Sequence, residues 1–503
     1  MCLPHVGVTQ CHTRDRNQKG GPFVMITDRE NRPNSSLYNE DLAPIPTERR
    51  QWGAFEIFNV WNNDIQSLFG YTLAASLFLT YGLNGWLTFA AIVLAGFIVM
   101  FLVNLSGRPS VRYGIPYAVM ARASMGVHGA RFPALARGIV GIFWYGVQTY
   151  FASTAVALAL RAIFGIDVLA EDGAGTFLGM AGVDWIAYLI VATFQIGLFL
   201  MGIEWVGRFL NWAGPFVYAV MITLALMIWY KAGNGIWSEI GVIFQGDDKG
   251  GLSTLSGFVA VVGVMVAYFA AVVINFGDFS RFVKTEGQMR AGNLWGLPIS
   301  MAFFSLIALF ITAGAVVLYG ERLTDPTEIV ARVDNTVLTL IAAVTFFAAT
   351  VGINLVANFI PAAYDIANMA PARINAKAGG LIAAGIAFFI GALWVAFISA
   401  IGIAGFVETV GALLAPLYGI LVADYYLVQK RELHLEDLFS EAPTGRYYYQ
   451  RGWNRRAIVA LAVAALFSVG TVWLPALQSL AGFGWLIGAF LGGLLYVVLN
   501  KRS

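Results

Sequence analysis

From Phe55 to the C-terminus, apolar stretches of roughly 17 to 25 residues recur with short polar interruptions, each long enough to cross a hydrocarbon core of about 30 Å. The pattern predicts twelve spans, at 55–80, 85–105, 135–163, 182–202, 210–231 and 256–275, then 297–319, 337–358, 380–400, 402–427, 455–474 and 478–499. Pro416 interrupts the tenth. The residues ahead of Phe55 are polar and lack the apolar core of a signal peptide. The chain therefore divides into a cytoplasmic tail (1–54), five spans (55–231), five spans (256–427), a cytoplasmic loop (428–454) and two C-terminal spans with a short tail (455–503).

The interruptions alternate in charge as the preference of short cytoplasmic loops for Lys and Arg requires. The tail holds Arg29, Arg32, Arg49 and Arg50; the second loop Arg108, Arg112, Arg122 and Arg131; the sixth Arg281, Lys284 and Arg290; the tenth Lys430, Arg431, Arg446, Arg451, Arg455 and Arg456. The first, third and eleventh loops, Tyr81 to Gly85, Phe164 to Gly182 and Pro475 to Gly482, contain neither Lys nor Arg. This places both termini in the cytoplasm and predicts a multi-pass protein of the inner (plasma) membrane.

Composition supports the same class. Of 503 residues 58% are hydrophobic and 12% charged, about half the charge of a soluble protein. A soluble enzyme, a disulfide scaffold and a disordered chain are excluded. The formal net charge of +2 gives no field that would recruit nucleic acid. Cys2 and Cys11 both fall in the tail, and His5, His12, His128 and His434 have no metal-ligand spacing, so no metal centre is expected. There is no Walker-type phosphate loop, no His-Glu-x-x-His and no Gly-x-Ser-x-Gly, so neither ATP-driven pumping nor hydrolysis has support.

Within the spans, polar residues mark where lipid is absent. Span one reads Phe-Asn-Val-Trp-Asn-Asn-Asp-Ile-Gln-Ser over 58–67, placing Asn62, Asn63, Asp64, Gln66 and Ser67 near the bilayer interior. Such a cluster predicts an unwound helix lining a site. Span six, with Gly263 ahead of Tyr268 and Phe269, occupies the matching place if spans one to five and six to ten are inverted halves. In span three Trp144 and Gln148 are four apart on one face. They offer a plate and an amide to a flat polar ring, or else pack a neighbouring helix and satisfy a backbone carbonyl. Asn354 and Asn358 in span eight line a site or glue helices together. Asp64 either cycles a proton or sits hydrated or paired with an arginine. Glu204 and Glu408 read as structural, and Asp278 with Arg281 as a cytoplasmic loop latch. No Arg or Lys is placed deep in a span, which disfavours an anionic substrate.

Several segments together resemble the nucleobase:cation symporter-1 family of bacterial hydantoin, allantoin, uracil and cytosine permeases. They are Tyr-Asn-Glu-Asp-Leu-Ala-Pro (38–44), Tyr-Gly-Ile-Pro-Tyr (113–117), Ala-Arg-Ala-Ser-Met-Gly-Val-His-Gly-Ala (121–130), Trp-Tyr-Gly-Val-Gln-Thr (144–149), Asn-Phe-Gly-Asp-Phe-Ser-Arg (275–281), Asn-Leu-Val-Ala-Asn (354–358) and Ala-Asp-Tyr-Tyr-Leu (423–427). The resemblance implies an all-α integral membrane protein of twelve transmembrane helices. Ten would form two inverted five-helix repeats of the leucine-transporter type, with substrate between helices one, three, six and eight. It also implies a stacking role for Trp144, hydrogen bonds from Gln148 and Asn358, and Phe269 where the hydantoin member has a second stacking Trp. Ser67 falls where relatives carry an amide, which neighbouring Gln66 would supply. For a sodium site it implies backbone carbonyls at Asn63, Gln66 and Ala349, but the two hydroxyl positions read Gly352 and Ile353. That degenerate set predicts coupling to protons, with Asp64 the first carrier, rather than to sodium.

The expectation is therefore a symporter, not an enzyme, without a cofactor, importing a ring such as uracil, allantoin or hydantoin by alternating access. The alternatives are a sodium-coupled relative for cytosine or thiamine, and an amine or amino-acid permease on the same fold. Its partners are the small-molecule substrate and the lipid bilayer, with no nucleic acid.

Overall fold

The computed structural model describes residues 36–165, 176–246, 251–332, 335–401 and 403–500. Arg29, Arg32, both cysteines, His5, His12, Lys501 and Arg502 lie outside them.

Helices account for the spans. The first predicted span is two helices, α1 (Ala54–Ile65) and α2 (Leu68–Thr80), followed by the long α3 (Gly85–Tyr113) and the short α4 (Tyr117–Met125). Then come α5 (Arg131–Phe164), α6 (Gly182–Met201), α7 (Ile203–Ala232) and α8 (Gly235–Gln245). The sixth span is again divided, into α9 (Gly251–Tyr268) and α10 (Ala270–Asn275), with α11 (Gly277–Ser280) after it. Next are α12 (Glu286–Leu294), α13 (Ser300–Tyr319), α14 (Pro326–Ala331), α15 (Thr336–Ile353), α16 (Ile360–Met369) and α17 (Ala376–Ala392). The last are α18 (Ile403–Ala423), α19 (Leu435–Leu438), α20 (Arg455–Trp473) and α21 (Gly484–Asn500).

Among the described residues eight helices are long and apolar enough to cross a membrane, and four shorter apolar ones, Leu68–Thr80, Ser253–Tyr268, Ala376–Ala392 and Gly484–Asn500, fall on the remaining predicted spans. Span nine is shorter than expected. Beyond Ala392 the ladder tightens to turn-like bonds, Trp394 N donating to Gly391 O at 3.2 Å. The outer faces carry exposed apolar side chains such as Phe101, Leu466 and Phe490, the inverse of a soluble surface and suited to lipid tails. Where helices meet, small residues let backbones close up. A Cβ on Gly419 of α18 would lie 1.7 Å from the carbonyl oxygen of Ala489 on α21, so this crossing admits only glycine.

The break between α1 and α2 follows from its sequence. Ser67 is extended (φ −60°, ψ 155°) and caps α2, its hydroxyl accepting from Gly70 N at 3.0 Å. Groups released from the ladder find side chains of other helices: Leu68 N donates to Thr350 Oγ1 at 3.1 Å and the Asp64 carbonyl accepts from Tyr268 OH at 3.2 Å. Unwound backbone at membrane depth needs such partners. The α9–α10 break is shallower, confined to Phe269 (φ −83°, ψ −1°), because no polar cluster competes for its backbone.

The Arg-rich connections gather at one end, where residues 36–53 strap several elements together. Asn39 Nδ2 donates to Pro371 O (3.0 Å) and Ile374 O (3.1 Å) while its Oδ1 accepts from Asp41 N at 2.8 Å. Asp41 Oδ2 caps α17 through Ala376 N at 2.9 Å, and its carbonyl takes Arg281 Nη2 at 3.1 Å. Ile45 N donates to Gly114 O at 2.9 Å, and Trp52 pairs with Phe282 and Lys284. Asp278 joins the same end: it accepts from Tyr117 N at 2.8 Å, capping α4, and from Asn275 Nδ2 at 3.1 Å. Asn39→Ala removes three of these bonds at part-buried sites and is expected to destabilise by about 1–3 kcal/mol, read as a lower apparent Tm of the purified protein in detergent.

Candidate functional site

Trp144 and Gln148 lie on one face of α5, as their spacing requires, and both are buried. The Trp144 ring meets three others edge-on: Phe69 of α2 (centroids 4.9 Å, 86°), Phe406 of α18 (5.0 Å, 69°) and Tyr268 at the end of α9 (5.8 Å, 83°). Phe69 and Tyr268 are themselves parallel, 5.8 Å apart and 7° from coplanar. The Gln148 side chain lies beside the Tyr268 hydroxyl, yet its Oε1 has no hydrogen-bond partner. An unsatisfied amide oxygen in an aromatic box is uncommon, since buried polar groups are nearly always paired.

Tyr268 connects this box to the break in the first span. Its hydroxyl donates to Asp64 Oδ1 at 2.8 Å and lies 3.4 Å from Ser67 Oγ. Asp64 is buried and no arginine or lysine pairs with it. The structure thus brings together Trp144, Gln148, Asp64 and Ser67 through a side chain that the sequence reading named but gave no role.

The remaining expected site residues have their own surroundings. The Phe269 ring is fully buried against Trp61, with centroids 6.0 Å apart, and its neighbour Tyr268 faces Trp144. Gln66 points toward Tyr218 of α7, and neither amide atom reaches a partner at hydrogen-bond distance. Asn354 is glue: the two N–H groups of its Nδ2 are shared among Tyr145 O, Thr149 Oγ1 and Gln195 Oε1, at 3.0, 3.1 and 2.8 Å. Asn358 Nδ2 donates to Asn354 Oδ1 at 2.9 Å, which joins it to that network.

Both asparagines sit on a π-helical segment, Asn354–Phe359, between α15 and α16. Pro361 has no N–H for the Ala357 carbonyl, which accepts instead from the Arg137 guanidinium on α5. Arg137 is fully buried, with Asp365 Oδ2 3.9 Å from its Nη1. This corrects the expectation that no arginine lies deep in a span. Its charge is paired with Asp365 and its donor holds backbone, so it does not bid for an anionic substrate.

Two residues of the cation-site expectation, Asn63 and Gly352, lie against each other. A Cβ on Gly352 would lie 2.5 Å from Asn63 Oδ1, and Asn63 Nδ2 is held by Asn59 O at 2.8 Å. The Asn63 amide thus occupies the position a side chain at 352 would need, and Ile353 brings no oxygen. Positions 352 and 353 thus add no hydroxyl, and Asn63 Oδ1 is a buried acceptor without a hydrogen-bond partner. Gly352→Ser is expected to lower the yield of monodisperse protein, and Asn63→Ala in the same chain to recover it, as followed by gel filtration from membranes. Overpacking of this kind costs about 1–3 kcal/mol.

The two histidines among the described residues lie at the Arg-rich end. Burial, with Arg131 nearby, holds the His128 imidazole below the usual histidine range, and His434 Nε2 is 2.7 Å from Arg446 Nη1. Neither touches the aromatic box.

Residues 44–488 match the family described as permease for cytosine/purines, uracil, thiamine, allantoin. The chain is 34% identical to an allantoin permease of Bacillus subtilis (strain 168), covering 92% of this chain and 93% of that one. It is 30% identical to a putative allantoin permease of Escherichia coli (strain K12), covering 93% and 95%. In structure it is similar to a nucleobase-cation-symport-1 family transporter in a closed conformation with bromovinylhydantoin bound, with TM-score 0.77 and 22% identity over 93% of this chain and 96% of that one. That likeness shows the expected fold, two inverted five-helix repeats of the leucine-transporter type followed by two helices. With a family match over most of its length, the chain belongs to the permeases for cytosine and purines, uracil, thiamine and allantoin.

Proposed function

We propose that the protein is a proton-coupled secondary transporter of the inner membrane that imports a neutral, imide- or ureide-bearing ring of the uracil, allantoin or hydantoin kind by alternating access. The observation that carries this reading is the unsatisfied Gln148 Oε1 beside the box of Trp144, Phe69 and Tyr268, one hydroxyl away from Asp64. A flat ring stacks on Trp144 and offers an N–H to Gln148 Oε1 and a carbonyl to its amide nitrogen. Asn358 at the π segment supplies the amide from helix eight, and Gln66 becomes available when the first span's break opens. Asp64 carries the proton. The Arg-rich end faces the cytoplasm, with both termini on that side.

Support comes from the relatives named allantoin permease and from the absence of charge in the box, where a carboxylate or phosphate substrate would find no free cation. An amine substrate would need a carboxylate turned toward the box, whereas Asp64 Oδ1 is engaged by Tyr268. The test is uptake of labelled uracil and allantoin by cells expressing the protein, with competition by hydantoin, cytosine and thiamine. Competition by at least one imide or ureide ring, and none by amines, is expected; uptake of none of these rings would sink the reading.

A further inference from the structure

We infer that Tyr268 is a positioning residue that ties ring binding to the protonation of Asp64, its aromatic face forming a wall of the substrate site and its hydroxyl holding the carboxylate. The inference rests on the reading that Asp64 carries the proton and that Trp144 and Gln148 hold the ring. Tyr268 is the last residue of α9, immediately before the break at Phe269, so it sits at the joint between two helix segments. Its ring stands edge-on to Trp144 and parallel to Phe69. Its hydroxyl reaches Asp64 Oδ1 (2.8 Å), Asp64 O (3.2 Å) and Ser67 Oγ (3.4 Å), and the Gln148 side chain lies beside it.

A phenol has one proton to donate. With Asp64 ionised, that proton is committed to the carboxylate, and Gln148 Oε1 stays unsatisfied. When a proton from water adds to the carboxylate, Asp64 becomes a donor itself, to Ser67 Oγ or to its own neighbourhood of carbonyls. The phenol proton is then free to turn to Gln148 Oε1 or to a carbonyl of the ring. Tyr268 stays un-ionised throughout; the transferred proton enters on Asp64 and leaves from Asp64. The ring therefore binds best to the protonated form, and by reciprocity the bound ring holds the proton on.

The surroundings leave this switch to one partner. The helices packed on α1 carry Glu204, Arg208 and Lys231 on α7, and Glu286 and Arg290 on α12, together with the phenols Tyr71 on α2, Tyr218 and Tyr230 on α7, and Tyr319 on α13. Among the described residues, the side chain that hydrogen-bonds the Asp64 carboxylate is Tyr268.

The experiment uses the full chain in liposomes with labelled allantoin. Tyr268→Phe keeps the ring and removes the hydroxyl. Its accumulation driven by an imposed pH gradient is expected to fall at least tenfold further than its exchange of external for internal allantoin, and its KM no longer to vary with pH. Tyr268→Ala should lose exchange as well. Wild-type accumulation and pH profile in Tyr268→Phe, with both lost in Asp64→Asn, would overturn the role of Tyr268 and leave the proton carrier standing. Wild-type behaviour in Asp64→Asn would overturn the carrier itself. A separate measurement needs no variant: allantoin binding to wild-type protein in weak buffer is expected to take up about one proton per ring, and no uptake would contradict the link.

Discussion

Trp144→Ala and Gln148→Ala are each expected to abolish uptake at micromolar ring concentrations while leaving the amount of protein in the membrane unchanged. Stacking of a nucleobase-like ring on an aromatic side chain is worth about 1–3 kcal/mol per ring. Loss of Gln148 leaves a polar edge of the ring buried and unmatched, again about 1–3 kcal/mol. Each alone raises KM roughly tenfold to a hundredfold, since every 1.4 kcal/mol is about a factor of ten. Trp144 also supports Phe69, Phe406 and Tyr268, so Trp144→Phe is the control that keeps a plate. It should recover part of the uptake that alanine loses. Uptake kinetics measured alongside surface quantification check both, and unchanged KM in both alanine variants would refute the pocket.

Asp64→Asn is expected to end accumulation against a gradient and to remove the pH dependence of uptake, while downhill exchange survives. Asparagine has the shape of aspartate and still accepts from Tyr268, so the break between α1 and α2 keeps its support. What it lacks is a proton to gain and release. Uptake across a pH series, with and without a protonophore, reads this directly. A variant that still accumulates the ring and still responds to pH would remove Asp64 from the coupling path.

The spans and the first break were legible because each is written in one segment of chain. Apolar runs set the membrane helices, and the polar cluster over 58–67 marked the place where α1 stops. The strap at the Arg-rich end was only half legible. Asp278 and Arg281 read as a loop latch, but that Asn39 and Asp41 close it depends on chain ends brought together from more than 300 residues apart.

The facing of individual rings was not legible. Successive residues of a helix point about 100° apart, and a helix surrounded by protein has no amphipathic stripe to fix its rotation. Counting along the sixth span therefore selected Phe269, whereas Tyr268 is the ring that meets Trp144. Arg137 was missed for a related reason. Nothing in its own segment marks it as a buried charge, because its burial depends on Asp365 and on the carbonyl that Pro361 leaves without a partner. Pro361 was the signal available in the sequence. Asn63 and Gly352 come from different halves of the chain, so their mutual exclusion is visible only once α1 and α15 lie side by side.

The central claim is that a neutral ring held at Trp144 and Gln148 moves together with a proton on Asp64. Its most direct test is accumulation of labelled allantoin in liposomes containing the purified protein, driven by an imposed pH gradient in sodium-free buffer. Accumulation above the equilibrium level that collapses with a protonophore and is indifferent to added sodium is the result expected. Accumulation that requires a sodium gradient and ignores the pH gradient would contradict it.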